Sequence, residues 1–348
     1  MDALPEFRLL RPASLDEAVK ARAAHPAGQL IGGGTDLLVN IRRGIVAPPV
    51  LLDMTGVTEL AAISAGQDGL TIGASATLAQ LAEHPGVIKY YPVVGEAAHG
   101  VAGPTQRNMG TVGGNLCLDT RCIFYNQSTW WRSANNHCLK TTGDICHVAP
   151  KSHGVCFATF SGDLAPALLV LGAEIELAGP GGRRTLPLTD FYIGHARHDG
   201  SSGDGKNYLA LAPGEIVVSV RAKHTAGLRS GYDKIRIRRS IEYPVAGVAA
   251  ALIRDGGKLT DLRVAFTGTN PRPVLLDGTA ALCGGALDER VLGGLDALVR
   301  DQIMAMKTTF TPGHYRRRVA GVLARRLVAR LWAQGSEIRD QGSRLAMT

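Results

Sequence analysis

The sequence predicts an α+β fold of two or three subdomains, and three observations carry that expectation. At 348 residues the chain exceeds one compact core of ordinary size. Its 45% hydrophobic residues, 20% charged residues and 43 glycines describe a soluble, turn-rich α/β or α+β protein rather than a disordered one. From the N-terminus onward, a capped helix pattern, a short apolar strand pattern and glycine turns follow one another, as in layered domains.

Residues 14–25 read as a helix, with Ser14 as N-cap and Glu17 as its capping-box partner. Gln29-Leu30-Ile31 reads as a strand that runs into Gly32-Gly33-Gly34-Thr35-Asp36, and Leu37 to Ile41 resumes an apolar pattern. Three glycines let the backbone turn sharply and gather several N–H groups into a nest that suits a pyrophosphate. A tight turn without a ligand would use the same residues. A second turn, Arg107-Asn108-Met109-Gly110-Thr111-Val112-Gly113-Gly114-Asn115, follows later in the chain. Together, two such turns with threonine hydroxyls and an asparagine amide can grip the middle of a dinucleotide. Neither fits G-x-G-x-x-G with an acidic residue about 20 positions on, so the doubly wound dinucleotide fold is not expected.

No run of about 18 apolar residues occurs, which excludes a predicted membrane span. MDALPEFRLLRPASLDEAV carries acidic residues and no apolar secretory core, so a cytoplasmic location is expected. In that compartment clustered thiols bind metal more often than they pair. The formal charge of +8 concentrates at Arg236, Arg238 and Arg239 and at Arg316, Arg317, Arg318, Arg325, Arg326 and Arg330. The second group shares a C-terminal helix pattern with Val319, Val322, Leu323, Leu327, Val328 and Leu331. No base-stacking aromatic set accompanies these arginines, so a solvated helix face is expected rather than a nucleic-acid surface. Contact with an acidic partner subunit or with ligand phosphates stays open.

Five of the six cysteines fall between Cys117 and Cys156, four of them spaced as Cys122-x15-Cys138-x7-Cys146-x9-Cys156. Such a stretch, with few apolar periodic runs, has no core of its own, and a metal crosslink would organise it. His137, His147 and His153 beside three of the cysteines permit a zinc site, although the usual short C-x2-4-C knuckle is missing. Iron-sulfur ligation tolerates the long irregular spacings. Cys283 reads as a small buried hydrophobe. Trp130 and Trp131 would either shield the metal from water or meet a partner. Residues 196–207 read as a glycine-rich surface connector, and Tyr243-Pro244 and Thr269 to Pro273 as turns.

The ordered segments IGGGTDLL, LTIGASATLAQL, RNMGTVGGNL, SGDLAPALLVLGAEIEL and KIRIRRSIEYPVAGVAAAL resemble the flavin-binding subunit of the molybdenum hydroxylase (xanthine dehydrogenase) family over nearly the whole chain. The resemblance implies a two-lobed FAD-binding type-2 domain, of the PCMH or vanillyl-alcohol-oxidase kind, followed by a C-terminal sheet with helices on one side. The corresponding divisions are 1–55, 56–225 and 228–348. It places the FAD pyrophosphate on Ile31, Gly32, Gly33, Gly34, Thr35 and Asp36 and on Thr111, Gly113, Gly114 and Asn115, with Asp163 and Lys234 near the flavin.

Family members usually pass from the GGNL turn to the GDLAPAL-like segment in a short span, whereas here about 40 residues, 119–158, intervene. This insert is similar to that of 4-hydroxybenzoyl-CoA reductases, whose flavin subunit carries a 4Fe-4S cluster on four cysteines. The implied ligands are Cys122, Cys138, Cys146 and Cys156, with Cys117 assigned to the shared frame. The implied function is electron transfer without substrate chemistry of its own, in a dimer of heterotrimers with a molybdenum-cofactor subunit and a 2Fe-2S subunit. Electrons would come from ferredoxin and pass by way of the 4Fe-4S cluster and FAD toward molybdenum, for reductive dehydroxylation of an aromatic CoA thioester. Two alternatives stand beside it: the FAD subunit of a molybdenum hydroxylase or dehydrogenase acting on another aromatic or heterocyclic substrate, and, more distantly, a zinc-stapled binding protein.

Overall fold

A computed structural model describes residues 4–193, 203–238 and 241–334. Most of the 196–207 connector, and Arg239, lie outside the described residues. Three sheets follow in chain order. β1 (Arg8–Leu10), β2 (Gln29–Ile31) and β3 (Val50–Asp53) form a parallel sheet in the order β1-β3-β2. Parallel neighbours need crossovers, and the helices Leu15–Ala24 and Leu37–Arg42 supply them. Ser14 caps the first helix by accepting from the Glu17 N–H at 3.2 Å. The Glu17 carboxylate accepts from Ala13 at 2.8 Å, so the reciprocal bond falls one residue ahead of the expected capping box.

β4 (Ile63–Gly66), β5 (Gly69–Gly73), β6 (Glu174–Gly179), β7 (Gly182–Pro187) and β8 (Ile216–Ala222) form an antiparallel sheet in the order β4-β5-β8-β6-β7. Between β5 and β6 the chain runs through several short helices and the cysteine insert, ending in the helix Leu164–Val170. Every residue of that helix is buried, as its all-apolar sequence LAPALLV requires.

β9 (Arg229–Ile235), β10 (Ala246–Asp255), β11 (Lys258–Thr267) and β12 (Val274–Leu275) make a second antiparallel sheet, ordered β12-β11-β10-β9. Period-two alternation divides β10 between two cores. Ala249 and Ala251 join the core of the preceding sheet and its helices, while Val248, Ala250 and Leu252 join a core with the helices Glu289–Gln302 and Gly313–Ala333. The expected helix layer covers that second face. The first face is also buried, which the sequence reading did not include.

The expected solvated arginine face needs correcting at Arg316, which is fully buried. Its guanidinium donates to the carbonyls of Val245 (3.1 Å) and Met306 (2.8 Å), to the Thr308 hydroxyl (2.9 Å) and to the Gly268 carbonyl. Burial lowers its pKa to about 10. It bolts the C-terminal helix to the loops below the sheet. Arg325 instead pairs with Asp296 at 3.1 Å and Glu289 at 3.0 Å on the neighbouring helix. Cys283 is only half-buried, against the C-terminal core, not sealed within it.

Candidate functional site

A cleft of about 760 Å³ opens between the first sheet, the second sheet and the loop after β9. Ile31, Gly32, Gly33, Gly34, Thr35, Asp36, Thr111, Gly113, Gly114, Asn115 and Asp163 all line it. The two glycine turns touch. A Cβ on Gly33 would collide with the Met109 carbonyl, and one on Gly32 would sit 2.7 Å from the Thr111 hydroxyl. Gly34 has φ +68°, a left-handed turn that favours glycine. Gly33 is thus required by turn-on-turn packing.

The two turns differ in what they offer an anion. In the second, the N–H groups of Val112, Gly113 and Gly114 are committed to the carbonyls of Ala76 (2.9 Å) and Ala74 (2.8 Å) and to the Thr111 hydroxyl (3.2 Å). In the first, the N–H groups of Gly33, Gly34 and Thr35 have no acceptor among the described residues. Free donors beside a roomy cleft fit a pyrophosphate, and they come mainly from one nest rather than two. The Asp36 carboxylate is held within the protein: Asn40 donates to it at 3.1 Å, Tyr243 at 3.1 Å, and Arg121 forms an ion pair with it.

Elsewhere along the cleft, Asp163 accepts from the Tyr232 hydroxyl at 2.5 Å and from Lys234 Nζ at 3.0 Å. Lys234 does not line the cleft itself and reaches it through Asp163. Burial, reinforced by the Asp163 charge, pushes the Tyr232 phenol well above its ordinary pKa, so it stays a donor. The Asn115 side chain accepts from Leu164 N–H at 3.1 Å and ties the second turn to the buried helix.

The insert forms a separate pocket. Arg121 and Thr159 exchange two backbone hydrogen bonds of 2.7 Å each, closing its base. Inside, Cys122, Cys138, Cys146 and Cys156 are all buried and line one cavity with Phe124, Tyr125, Lys140 and His147. Burial, reinforced by the neighbouring Cys156, Cys138 and Cys146 thiols, pushes the Cys122 thiol up to about 12. Cys156 is pushed up to about 11, held back by the Ala158 N–H at 3.4 Å and by Lys140. Cys117 stands apart, lining the cleft.

A tetrahedral zinc with Zn–S bonds of about 2.3 Å would draw its ligand sulfurs to about 3.8 Å apart. Among the described residues no three His, Cys, Asp or Glu side chains converge in that way. Iron-sulfur ligation spreads the thiolates more widely, one to each iron. Four buried soft donors lining one cavity supply the donor set that such ligation calls for. His137 and His153 do not line the pocket, and His147 is engaged with the His137 carbonyl.

Trp130 is 78% exposed, whereas Trp131 packs on Phe124, whose ring lies 5.3 Å from His147. Only the second tryptophan contributes to cover over the pocket. Arg132, buried in the insert helix Thr129–Ala134, donates to the carbonyls of Gln127 (2.8 Å) and Gly44 (2.7 Å) and anchors the insert to the first sheet's loop. Sequence reasoning missed Arg121, Arg132, Lys140 and Tyr243. Arg121, Lys140 and Tyr243 are single polar residues in loops and Arg132 sits in a helix of only six residues, so no periodicity marks any of them.

Two glycine turns thus wall a nucleotide-sized cleft among the three sheets. The family described as "FAD binding domain in molybdopterin dehydrogenase" matches residues 5–222, and "CO dehydrogenase flavoprotein C-terminal domain" matches residues 231–331. The chain belongs to the FAD-binding subunits of the molybdenum hydroxylase family. It is 30% identical to the aldehyde oxidoreductase FAD-binding subunit of Escherichia coli (strain K12), over 93% of this chain and 98% of that one. It is 27% identical to the carbon monoxide dehydrogenase medium chain of Afipia carboxidovorans, over 94% and 97%. Among solved structures, a reconstituted CO dehydrogenase from Oligotropha carboxidovorans superposes with a TM-score of 0.77 at 23% identity, covering 96% of this chain and 100% of that one, a likeness of fold. No helix among the described residues is long and apolar enough to cross a membrane.

Proposed function

We propose that this chain is the electron-transfer subunit of a molybdenum enzyme, holding FAD in the cleft and a 4Fe-4S cluster on Cys122, Cys138, Cys146 and Cys156. The single observation that carries the second half is the burial of all four insert thiols around one cavity, separate from the cleft. When bound, FAD exchanges electrons singly or in pairs and the cluster singly. The protein's own residues position these groups. Gly33, Gly34 and Thr35 offer N–H donors to the pyrophosphate, and Thr111, Gly113, Gly114 and Asn115 form the adjoining stretch of wall. Asp163, fixed by Tyr232 and Lys234, presents a buried carboxylate toward the flavin end.

In the same proposal the divisions 1–55, 56–225 and 228–348 serve as the two FAD lobes and the C-terminal domain, and the complex works in the cytoplasm. Molybdenum and 2Fe-2S subunits complete it as a dimer of heterotrimers, with ferredoxin as the one-electron donor. The finer reading, a 4-hydroxybenzoyl-CoA reductase, rests on the four-cysteine insert. A second reading, oxidation of an aldehyde by the partner subunit, is favoured by the full-length match to an aldehyde oxidoreductase subunit.

Anaerobic purification of the complex tests the assignment. One FAD and about four iron atoms per chain are expected, with a broad visible absorption that bleaches on reduction. Stoichiometric FAD without iron would sink the cluster reading. Turnover of 4-hydroxybenzoyl-CoA against simple aldehydes separates the two substrate readings.

A further inference from the structure

One ion pair has an end on each site. Lys140 lines the four-thiol pocket, and its side chain is 7% exposed. Its Nζ lies 2.6 Å from an Asp119 carboxylate oxygen, donates to the Thr120 carbonyl at 3.1 Å and stands 4.5 Å from the centroid of the Tyr125 ring. Asp119 lines the cleft instead. A buried ammonium needs such partners, and the carboxylate, the carbonyl and the ring face supply them.

We propose that Lys140 sets the reduction potential of the iron-sulfur site and that Asp119 moderates it, so that the pair links the two redox sites electrostatically. The inference rests on the reading of the four cysteines as cluster ligands. Four thiolates make the site anionic, and one added electron makes it more so. A cation in a poorly screened wall favours the electron-rich state, and a carboxylate paired with that cation offsets part of the effect. Charge alone dictates opposite outcomes for the two partners. Loss of the Lys140 charge should lower the potential, and loss of the Asp119 charge should raise it.

The test uses the anaerobically purified complex carrying Lys140→Gln, Lys140→Arg or Asp119→Asn. Iron and FAD per chain are measured first. The reduced-state EPR signal of the cluster is then titrated with dithionite through mediators, one electron entering per cluster. Lys140→Gln should shift the reduction equilibrium about tenfold toward the oxidised state, equivalent to about 59 mV for one electron. Asp119→Asn should shift it the opposite way, and Lys140→Arg should stay near the parent. Unmoved potentials, or shifts of one sign in both charge-removing variants, would overturn the proposal. If Lys140→Gln fails to hold iron, the sign of the Asp119→Asn shift decides. A parent complex without iron refutes the cluster reading itself, and this inference with it.

Discussion

The cleft and the cysteine insert are built from different parts of the polypeptide. The cleft wall is backbone set against backbone, where Gly33 passes the Met109 carbonyl with no room for a side chain and the 111–115 turn hangs from the carbonyls of Ala74 and Ala76. The insert is held by side chains reaching across sequence: Arg132 to Gly44, Arg121 to Asp36 and Lys140 to Asp119. Its own apolar cluster amounts to Cys122, Tyr125, Cys138, Cys156 and Ala158 with a few half-buried neighbours. A backbone-built site fails when a β-carbon is added. A side-chain-built site fails when one polar group is removed, and the frame around it survives.

The largest effect expected from this contrast is that of Gly33→Val. It should destabilise the ligand-free protein by more than about 4 kcal/mol, read by chemical denaturation, because the backbone it strikes cannot move aside. A variant that loses FAD yet keeps full apo stability would show that the glycine serves only ligand approach. Next comes Cys138→Ser, which should remove about four iron atoms per chain while FAD stays bound. Unchanged iron would refute that ligand, whereas Cys117→Ser, altering a residue on the cleft side, should leave iron in place.

Arg132→Ala should cost about 2 kcal/mol, since a buried guanidinium and its two hydrogen bonds to the Gln127 and Gly44 carbonyls are lost. Hydrogen exchange should quicken within 122–158 and stay unchanged in the three sheets. Spreading of the effect into β10 would break the distinction between insert and frame.

The smallest effect concerns the frame alone. Glu215 accepts from Arg184 at 2.6 and 2.8 Å, which holds its carboxyl below the ordinary carboxylate range. The stability contributed by a lowered carboxylate is present above its unfolded pKa and disappears as pH falls through the folded value. Acid titration of Glu215→Gln against the parent should show a difference below about 1 kcal/mol, because Arg184 is half exposed, and it should vanish at low pH.

The parts legible in the sequence were those that repeat or punctuate. Glycine turns announce themselves because few residues can replace them, and cysteines because they are rare. Both signals picked out residues that the fold brings together, the two turns along one cleft and four cysteines around one cavity, and the helix that Ser14 caps was legible as well. Residues whose partners are fixed only by topology gave no such signal. Lys140 in a polar loop looks like any surface lysine until the fold places Asp119 beside it. Arg316 sits in a run of arginines and is distinguished only by the loops that close over it. The commitment of the second turn's N–H groups was equally hidden, since Ala74 and Ala76 lie on a different segment.

The paired backbone bonds between Arg121 and Thr159 have a consequence for how such chains can be recombined. A segment that enters and leaves at one point can be exchanged without re-registering any strand, in the way that circular permutation and domain insertion tolerate closely spaced ends. Residues 121–159 are in that sense a cassette. A related chain would receive it best if the seat came along: Gly44 has φ +61°, which favours glycine, and a Cβ there would stand 2.5 Å from the Thr129 hydroxyl, which would have to turn aside.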